Sequence, residues 1–180
     1  MWTIDRAHSS IGFEARHMLV TRVRGQFKEF EAELNIDEQD LTKSSAVITI
    51  NAASIDTNEP QRDAHLRSAD FFDVEKYPTI RFATKRIERT GENRYRIVGD
   101  LTIKDVTREV AFDAEVFGPA KNPWGMDVIS ISAETKIDRK EFGLTWNAAL
   151  EFGGWLVGDE VKLIFEAELV KQPVQEAAKA

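Results

Sequence analysis

Three histidines, His8, His17 and His65, are the side chains best suited to acid–base or metal chemistry. Their separations match no helical ligand pair, so a metal site would need the fold to bring them together. No metal ligand set is assigned. Each histidine has an ordinary structural reading as a hydrogen-bonding group near a strand end or on a helix. The chain has no cysteine, which removes thiol nucleophiles, disulfides and cysteine-ligated metals. A Gly-x-Ser-x-Gly elbow is also missing. Carboxylates are abundant, but none stands in a recognisable paired setting. Gly153, Gly154 and Gly158 lie close to Asp159 and Glu160 without the lysine of a phosphate loop. No catalytic residue and no cofactor requirement is assigned.

His17 has a second reading. It shares parity with Ile11, Phe13 and Ala15, which points it inward near one end of a strand. There it would meet the polar head of a ligand or hydrogen-bond to a backbone carbonyl. Arg62, Asp63, Arg67 and Asp70 cluster on a short segment and read as surface ion pairs, each worth roughly 0–1 kcal/mol. Arg139 follows a strand and would hold the strand end by pairing with an acidic group.

The elements that position these residues are strands. Ala46, Ile48 and Ile50 alternate with their neighbours, as do Val110, Phe112, Ala114 and Val116. The same holds for Ile129, Ile131, Ala133, Thr135 and Ile137, and for Val161, Leu163, Phe165, Ala167 and Leu169. One apolar and one wet face per segment is the mark of antiparallel strands around an interior. Hairpin turns are expected at Thr90–Asn93 and Lys104–Asp105, with a longer loop from Gly118-Pro119 through Gly125. The apolar phase changes between Val23–Phe27 and Phe30–Ile36, which calls for a bulge or a bend near Lys28-Glu29. A short helix is expected over about Glu59–Ser68, capped by Thr57 or Asn58, with Pro60 in its first turn. It would lie across a barrel opening. The tail over 173–180 is expected to fray.

At 180 residues the chain is long enough for one domain, taken as 1–172, with a full core. The formal charge of −7 argues against nucleic acid as a partner and offers no net attraction to anionic lipid. No apolar run is long enough for a membrane-spanning helix. The opening Met1-Trp2-Thr3-Ile4-Asp5 lacks a basic segment followed by an apolar run, so the chain as written reads as cytoplasmic. It reads as periplasmic if a leader has been removed. Barrel walls and loop faces allow a homodimer, and no sequence feature demands one.

Several blocks, taken together and in order, resemble the YceI-like family of polyisoprenoid-binding or lipid-binding proteins. They include Asp5-Arg6-Ala7-His8-Ser9-Ser10-Ile11-Gly12-Phe13, Val23-Arg24-Gly25-Gln26-Phe27 and Tyr77-Pro78-Thr79-Ile80-Arg81-Phe82. Between the last two runs the segment from Arg62-Asp63-Ala64-His65-Leu66-Arg67 to Asp73, and Ile137-Asp138-Arg139-Lys140-Glu141-Phe142-Gly143 follows later. The resemblance covers about Trp2 to Leu169. It implies an all-β, elongated, eight-stranded antiparallel, lipocalin-like barrel accompanied by a short helix. It further implies a non-enzymatic protein that binds, stores or transports a long apolar lipid, a polyisoprenoid, isoprenoid quinone or fatty amide, inside the barrel. Strand parity then nominates Phe13, Ala15, His17, Phe27, Phe82, Phe112, Ala133 and Phe165 as lining residues, with Phe142 and Trp146 added. Two other functions are compatible with the residues: an enzyme on a lipid or quinone head group with His17 as acid or base, and a packed barrel serving as an interaction module.

Overall fold

A computed structural model describes residues 1–151, 154 and 156–173. The expected tail therefore lies, beyond Pro173, outside the described residues, as does Gly153. Eleven strands form one antiparallel sheet: β1 (Trp2–Ile4), β2 (Ser10–His17), β3 (Thr21–Phe27), β4 (Phe30–Asn35), β5 (Ser45–Asn51), β6 (Ile55–Asp56), β7 (Thr79–Gly91), β8 (Arg94–Ile103), β9 (Val106–Lys121), β10 (Asp127–Asp138) and β11 (Val157–Lys171). One α-helix, α1, spans Pro60–Arg67. No described helix is long and apolar enough to cross a membrane.

The eleven segments reduce to the eight strands expected, because three strands are interrupted. β1 and β2 both pair with β11 and are parted by a 3-10 turn over Arg6–His8. β3 and β4 are parted by a bend at Lys28-Glu29, where the apolar phase changes in the sequence. β5 and β6 are parted by a 3-10 turn over Ala52–Ser54. β4 pairs with β5, and β3 pairs with β6, so the two bent strands run side by side and carry the sheet round on itself. The remaining neighbours follow in the order β5-β7-β8-β9-β10-β11-β2.

The alternation is physical. In β10, Ile129 and Ala133 are buried while Ser132, Glu134 and Lys136 face water. The turns at 92–93 and 104–105 are two residues long, with Asn93 and Lys104 at positive φ. The loop expected from Gly118 begins later, at Asn122. β9 runs on through Gly118-Pro119, because Phe117 pairs with Ser130 and Ala120 with Val128, leaving a bulge between. A bulge is where a strand tolerates proline's missing N–H.

α1 sits where the sequence places it, but its cap is Glu59, whose carboxylate accepts from Arg62 N at 2.6 Å, in place of Thr57 or Asn58. Nor is its charge cluster a set of surface ion pairs. Asp63 is buried and accepts from Thr57 N at 2.8 Å and from the Thr57 hydroxyl. Arg62 donates to Thr57 Oγ1 and to the Thr57 carbonyl, both at 2.7 Å. Arg67 donates to the carbonyls of Ala53 and Ile55 at 2.9 and 3.1 Å. These bonds tie the helix to β6, and they do so because the segment from Ala52 to Thr57 would otherwise leave backbone groups unpaired beside the core.

Candidate functional site: an apolar cavity along the barrel

The barrel is not filled. It encloses a cavity of about 260 Å³. On β11 alone its wall runs from Val157 to Leu169, roughly 40 Å of strand at ~3.3 Å per residue. The wall is aliphatic and aromatic; its polar members among the described residues are Ser44, Ser45, Thr84, Tyr95 and Arg139. Two groups of buried residues flank it. One holds Phe27, Phe30, Phe71, Phe82, Phe142 and Leu144, and the other holds Trp2, Ala114, Ile129, Ala133 and Leu169.

Seven of the nominated residues line this cavity: Phe13, Ala15, Phe27, Phe82, Phe112, Ala133 and Phe165. They form two aromatic contacts across the wall. Phe13 and Phe27 have ring centroids 5.8 Å apart, and Phe82 meets Phe112 edge-on at 5.2 Å. Glycines make room for these rings. A Cβ on Gly25 would fall 2.3 Å from Phe13 Cζ, and one on Gly99 would fall 2.6 Å from Phe82 Cζ.

Three nominated residues lie off this wall. His17 is not on the cavity wall. It is the last residue of β2, and its carbonyl accepts from Thr21 Oγ1 at 2.8 Å where the hairpin turns. Parity states which face a residue takes but not how far along the barrel the hollow extends. Phe142 is buried in the core beside the cavity. Trp146 lies outside it too, packed edge-on against His65 at 4.6 Å and tilted against Phe71 at 5.4 Å. Residues that parity did not nominate take part: Leu66 from α1, Phe71 and Phe72 just after it, and Leu41 from the 3-10 turn Leu41–Lys43. The sequence signal for these is only a loose apolar cluster beside a helix.

The electrostatics of the wall rest on Arg139. It is buried, and burial pushes its guanidinium pKa down, against the pull of Asp159 and Asp138. Nε donates to Gly158 O at 2.8 Å, Nη1 to Leu144 O and to Trp146 O at 3.0 Å, and Nη2 to Val157 O at 3.3 Å. Asp159 stands 3.7 Å from Nη2. The guanidinium is thus committed to backbone carbonyls, and the acidic partner expected for it is a lesser one. At the opposite end Thr84 Oγ1 accepts from Ala46 N at 3.3 Å, and Ser44 Oγ accepts from Asp37 N at 2.9 Å.

The histidines have separate partners. His8 Nδ1 lies 2.9 Å from Asp5 and 3.7 Å from Glu168, and His65 Nε2 lies 2.9 Å from Asp70. Asp5, His8 and Glu168 have ligand-type atoms within 4.8 Å of one another, on the surface and off the cavity wall.

Residues 2–169 match the YceI-like domain model. The chain belongs to the YceI-like family. A YceI-like relative, a UPF0312 protein of Staphylococcus epidermidis, is 42% identical over 168 residues, covering 93% of this chain and 95% of its own. A UPF0312 protein of Staphylococcus aureus is 39% identical over the same shares. Among solved structures, Burkholderia cenocepacia BcnA has a TM-score of 0.78 at 27% identity, covering 92% of this chain and 98% of that one. The Campylobacter jejuni YceI protein has a TM-score of 0.74 at 31% identity, covering 95% and 98%. A polyisoprenoid binding domain from Saccharophagus degradans shares the YceI-like fold with a TM-score of 0.71 at 12% identity, covering 95% and 98%.

Proposed function

We propose that this protein binds a long, uncharged, apolar lipid inside its barrel and holds or carries it without chemically changing it. The observation that carries the reading is the cavity wall: a continuous aliphatic and aromatic surface whose one charged member among the described residues, Arg139, spends its donors on backbone carbonyls. Such a wall has no group to neutralise a charged ligand, and burying an unpaired charge there would be costly. A linear hydrocarbon gains ~0.8 kcal/mol per buried CH₂, so ten methylenes supply a gross ~8 kcal/mol before the chain is ordered. The length of the wall favours a chain over a compact molecule. A polyisoprenoid, an isoprenoid quinone and a fatty amide all fit this description, and the Saccharophagus degradans relative in fold is a polyisoprenoid binding domain. The small head of a quinone or amide would find hydroxyls at the end marked by Ser44, Ser45, Thr84 and Tyr95. His17, the acid or base of the enzymatic alternative, stands off the wall. A packed interaction module would have no hollow of this kind.

Mass spectrometry of an organic extract from the purified protein tests the reading. A long, neutral apolar molecule is expected at a stoichiometric level. Repeated preparations that are free of lipid and bind no added prenyl probe would overturn it.

A further inference from the structure

The hairpin between β2 and β3 breaks two local rules at once. Its tip is Met18-Leu19-Val20, and these side chains are 40%, 51% and 74% exposed. Met18 and Leu19 take φ values of +54° and +68°. Turns of this kind favour glycine or asparagine, and bulky apolar residues there store backbone strain. Folding alone gives no reason to place large apolar groups, in a strained conformation, in water. The strain persists because the tip is held: Met18 N donates to the Leu156 carbonyl at 2.9 Å, and Leu19 packs over Gly154.

The second anomaly lies just behind the tip. Arg16 and Arg22 are directly opposed cross-strand partners. Like charges in that position repel. Neither arginine pairs with a described carboxylate, and both are exposed. The next opposed pair, Glu14 and Arg24, does form an ion pair, at 2.8 Å. The carboxylates on the adjoining strand are engaged elsewhere, Asp159 by Lys140 at 3.3 Å and Glu160 by Lys136 at 3.6 Å. The chain carries a formal charge of −7, yet this hairpin presents an apolar tip with a cationic collar.

We propose that the β2–β3 hairpin docks the barrel onto a lipid bilayer bearing anionic head groups, with Met18, Leu19 and Val20 entering the acyl boundary and Arg16 and Arg22 meeting phosphates. The occupant follows from charge complementarity: two unneutralised guanidinium groups behind an exposed apolar wedge match phosphate above hydrocarbon, the layering of a membrane interface. The place is also apt. His17 pairs with Val157, and the next paired residues along the two strands, Ala15 and Val161, line the cavity together with Val157. Docking there brings the cavity's end to the bilayer. A second exposed apolar group among the described residues, Phe117 near the end of β9 with Trp124 and Met126 on the β9–β10 connection, lies at the opposite end of the barrel. It serves as the internal control. Docking through this hairpin does not depend on what the cavity holds.

Vesicle co-sedimentation with the full chain tests it, using phosphatidylcholine alone and phosphatidylcholine mixed with phosphatidylglycerol. Binding is expected only with the anionic vesicles and should weaken as salt rises. The double variants Leu19→Ser/Val20→Ser and Arg16→Glu/Arg22→Glu should each lose about ten-fold or more in affinity, while Trp124→Ala binds like the parent. Because the chain has no cysteine, Leu19→Cys and Trp124→Cys accept a single environment-sensitive dye. The dye at position 19 should shift to the blue on anionic vesicles, and the dye at 124 should not. A prenyl probe added from organic solvent should bind the hairpin variants as it binds the parent, which separates loss of docking from loss of the cavity. Absence of vesicle binding by the parent overturns the proposal. So does undiminished binding by both hairpin variants, or a blue shift at 124 in place of 19.

Discussion

The Phe13 ring occupies the space where a side chain on Gly25 would be. The two residues are directly opposed on β2 and β3, and a Cβ on Gly25 would lie 2.3 Å from Phe13 Cζ and 2.8 Å from Thr57 Cγ2. Glycine weakens a strand, and an aromatic ring laid across it restores the lost cover. The ring is fixed on its other side by Phe27, which meets Phe72 edge-on at 5.8 Å. Gly25→Ala is therefore expected to displace Phe13 and cost about 1–3 kcal/mol. Adding Phe13→Leu should recover part of the loss. Urea unfolding of the single and double variants measures both. Equal stability of Gly25→Ala and the parent would mean that Phe13 is free to move.

Arg139 should be intolerant even of lysine. Its planar fork serves carbonyls of Gly158, Leu144, Trp146 and Val157 from one position, and so pins the chain from Leu144 to Trp146 against the start of β11. An ammonium group cannot reach them all. Each buried carbonyl left without a donor costs about 1–3 kcal/mol, so Arg139→Lys is expected to lose roughly 2 kcal/mol or more. Proteolysis within 144–157 should also speed up. A variant within about 0.5 kcal/mol of the parent, the range of ordinary surface changes, would show that the carbonyls find other partners.

Much of this arrangement was legible because a strand with one wet face writes itself into sequence with period two. That pattern yields most of the strands, the turns at 92–93 and 104–105, and seven residues of the cavity wall, while the count of eight strands came with the family resemblance. What it lacks is depth along the barrel axis. His17 has inward parity, but as the last residue of β2, level with Val157 at the end of the hollow, it does not reach the wall. Long-range polar contacts were equally invisible. Arg139 bonds to carbonyls as far as 19 residues away, and a carbonyl has no residue type to advertise it. The Gly118-Pro119 pair reads as a loop, and only the register of β10 shows that a bulge absorbs it.

The pairing of Asp5 with His8 should appear in an acid–base titration. The hydrogen bond that His8 donates to the Asp5 carboxylate, then the charges of Glu168 and Asp5, raise the His8 imidazole above its usual value of about 6.5. The same bond holds Asp5 below the ordinary carboxylate range, against some desolvation. Two signs follow. The raised His8 contributes support that is complete below the unfolded imidazole value and is lost as pH rises through the folded one. The depressed Asp5 contributes support that is complete above the unfolded carboxylate value and is lost as pH falls through the folded one. The 3-10 turn over Arg6–His8 is thus held best in mildly acidic solution, between the two ranges. An NMR titration should place the His8 midpoint above about 6.5, and Asp5→Asn should lower it. A midpoint that Asp5→Asn leaves unmoved would remove Asp5 as the cause.

Ala133 offers a way to close the cavity without touching its ends. It is buried in the middle of β10, pairs with Ala114 on one side and with Phe165 on the other, and lines the hollow. The small side chain at 133 leaves the interior open where phenylalanines elsewhere would fill it. Ala133→Phe directs a ring into that opening. Apolar volume added to a packed core is destabilising by about 1–3 kcal/mol, whereas the same ring placed in a hollow gains contacts and stays within about 1 kcal/mol of the parent. Binding and stability should therefore part company: prenyl-probe affinity falls at least about ten-fold, since even two displaced methylenes forfeit ~1.6 kcal/mol, while the urea midpoint of the lipid-free protein holds or rises. Fluorescence titration and urea unfolding on one extracted preparation supply both readings. A large loss of stability with affinity intact would show that the ring cannot enter the cavity and that ligands bind elsewhere.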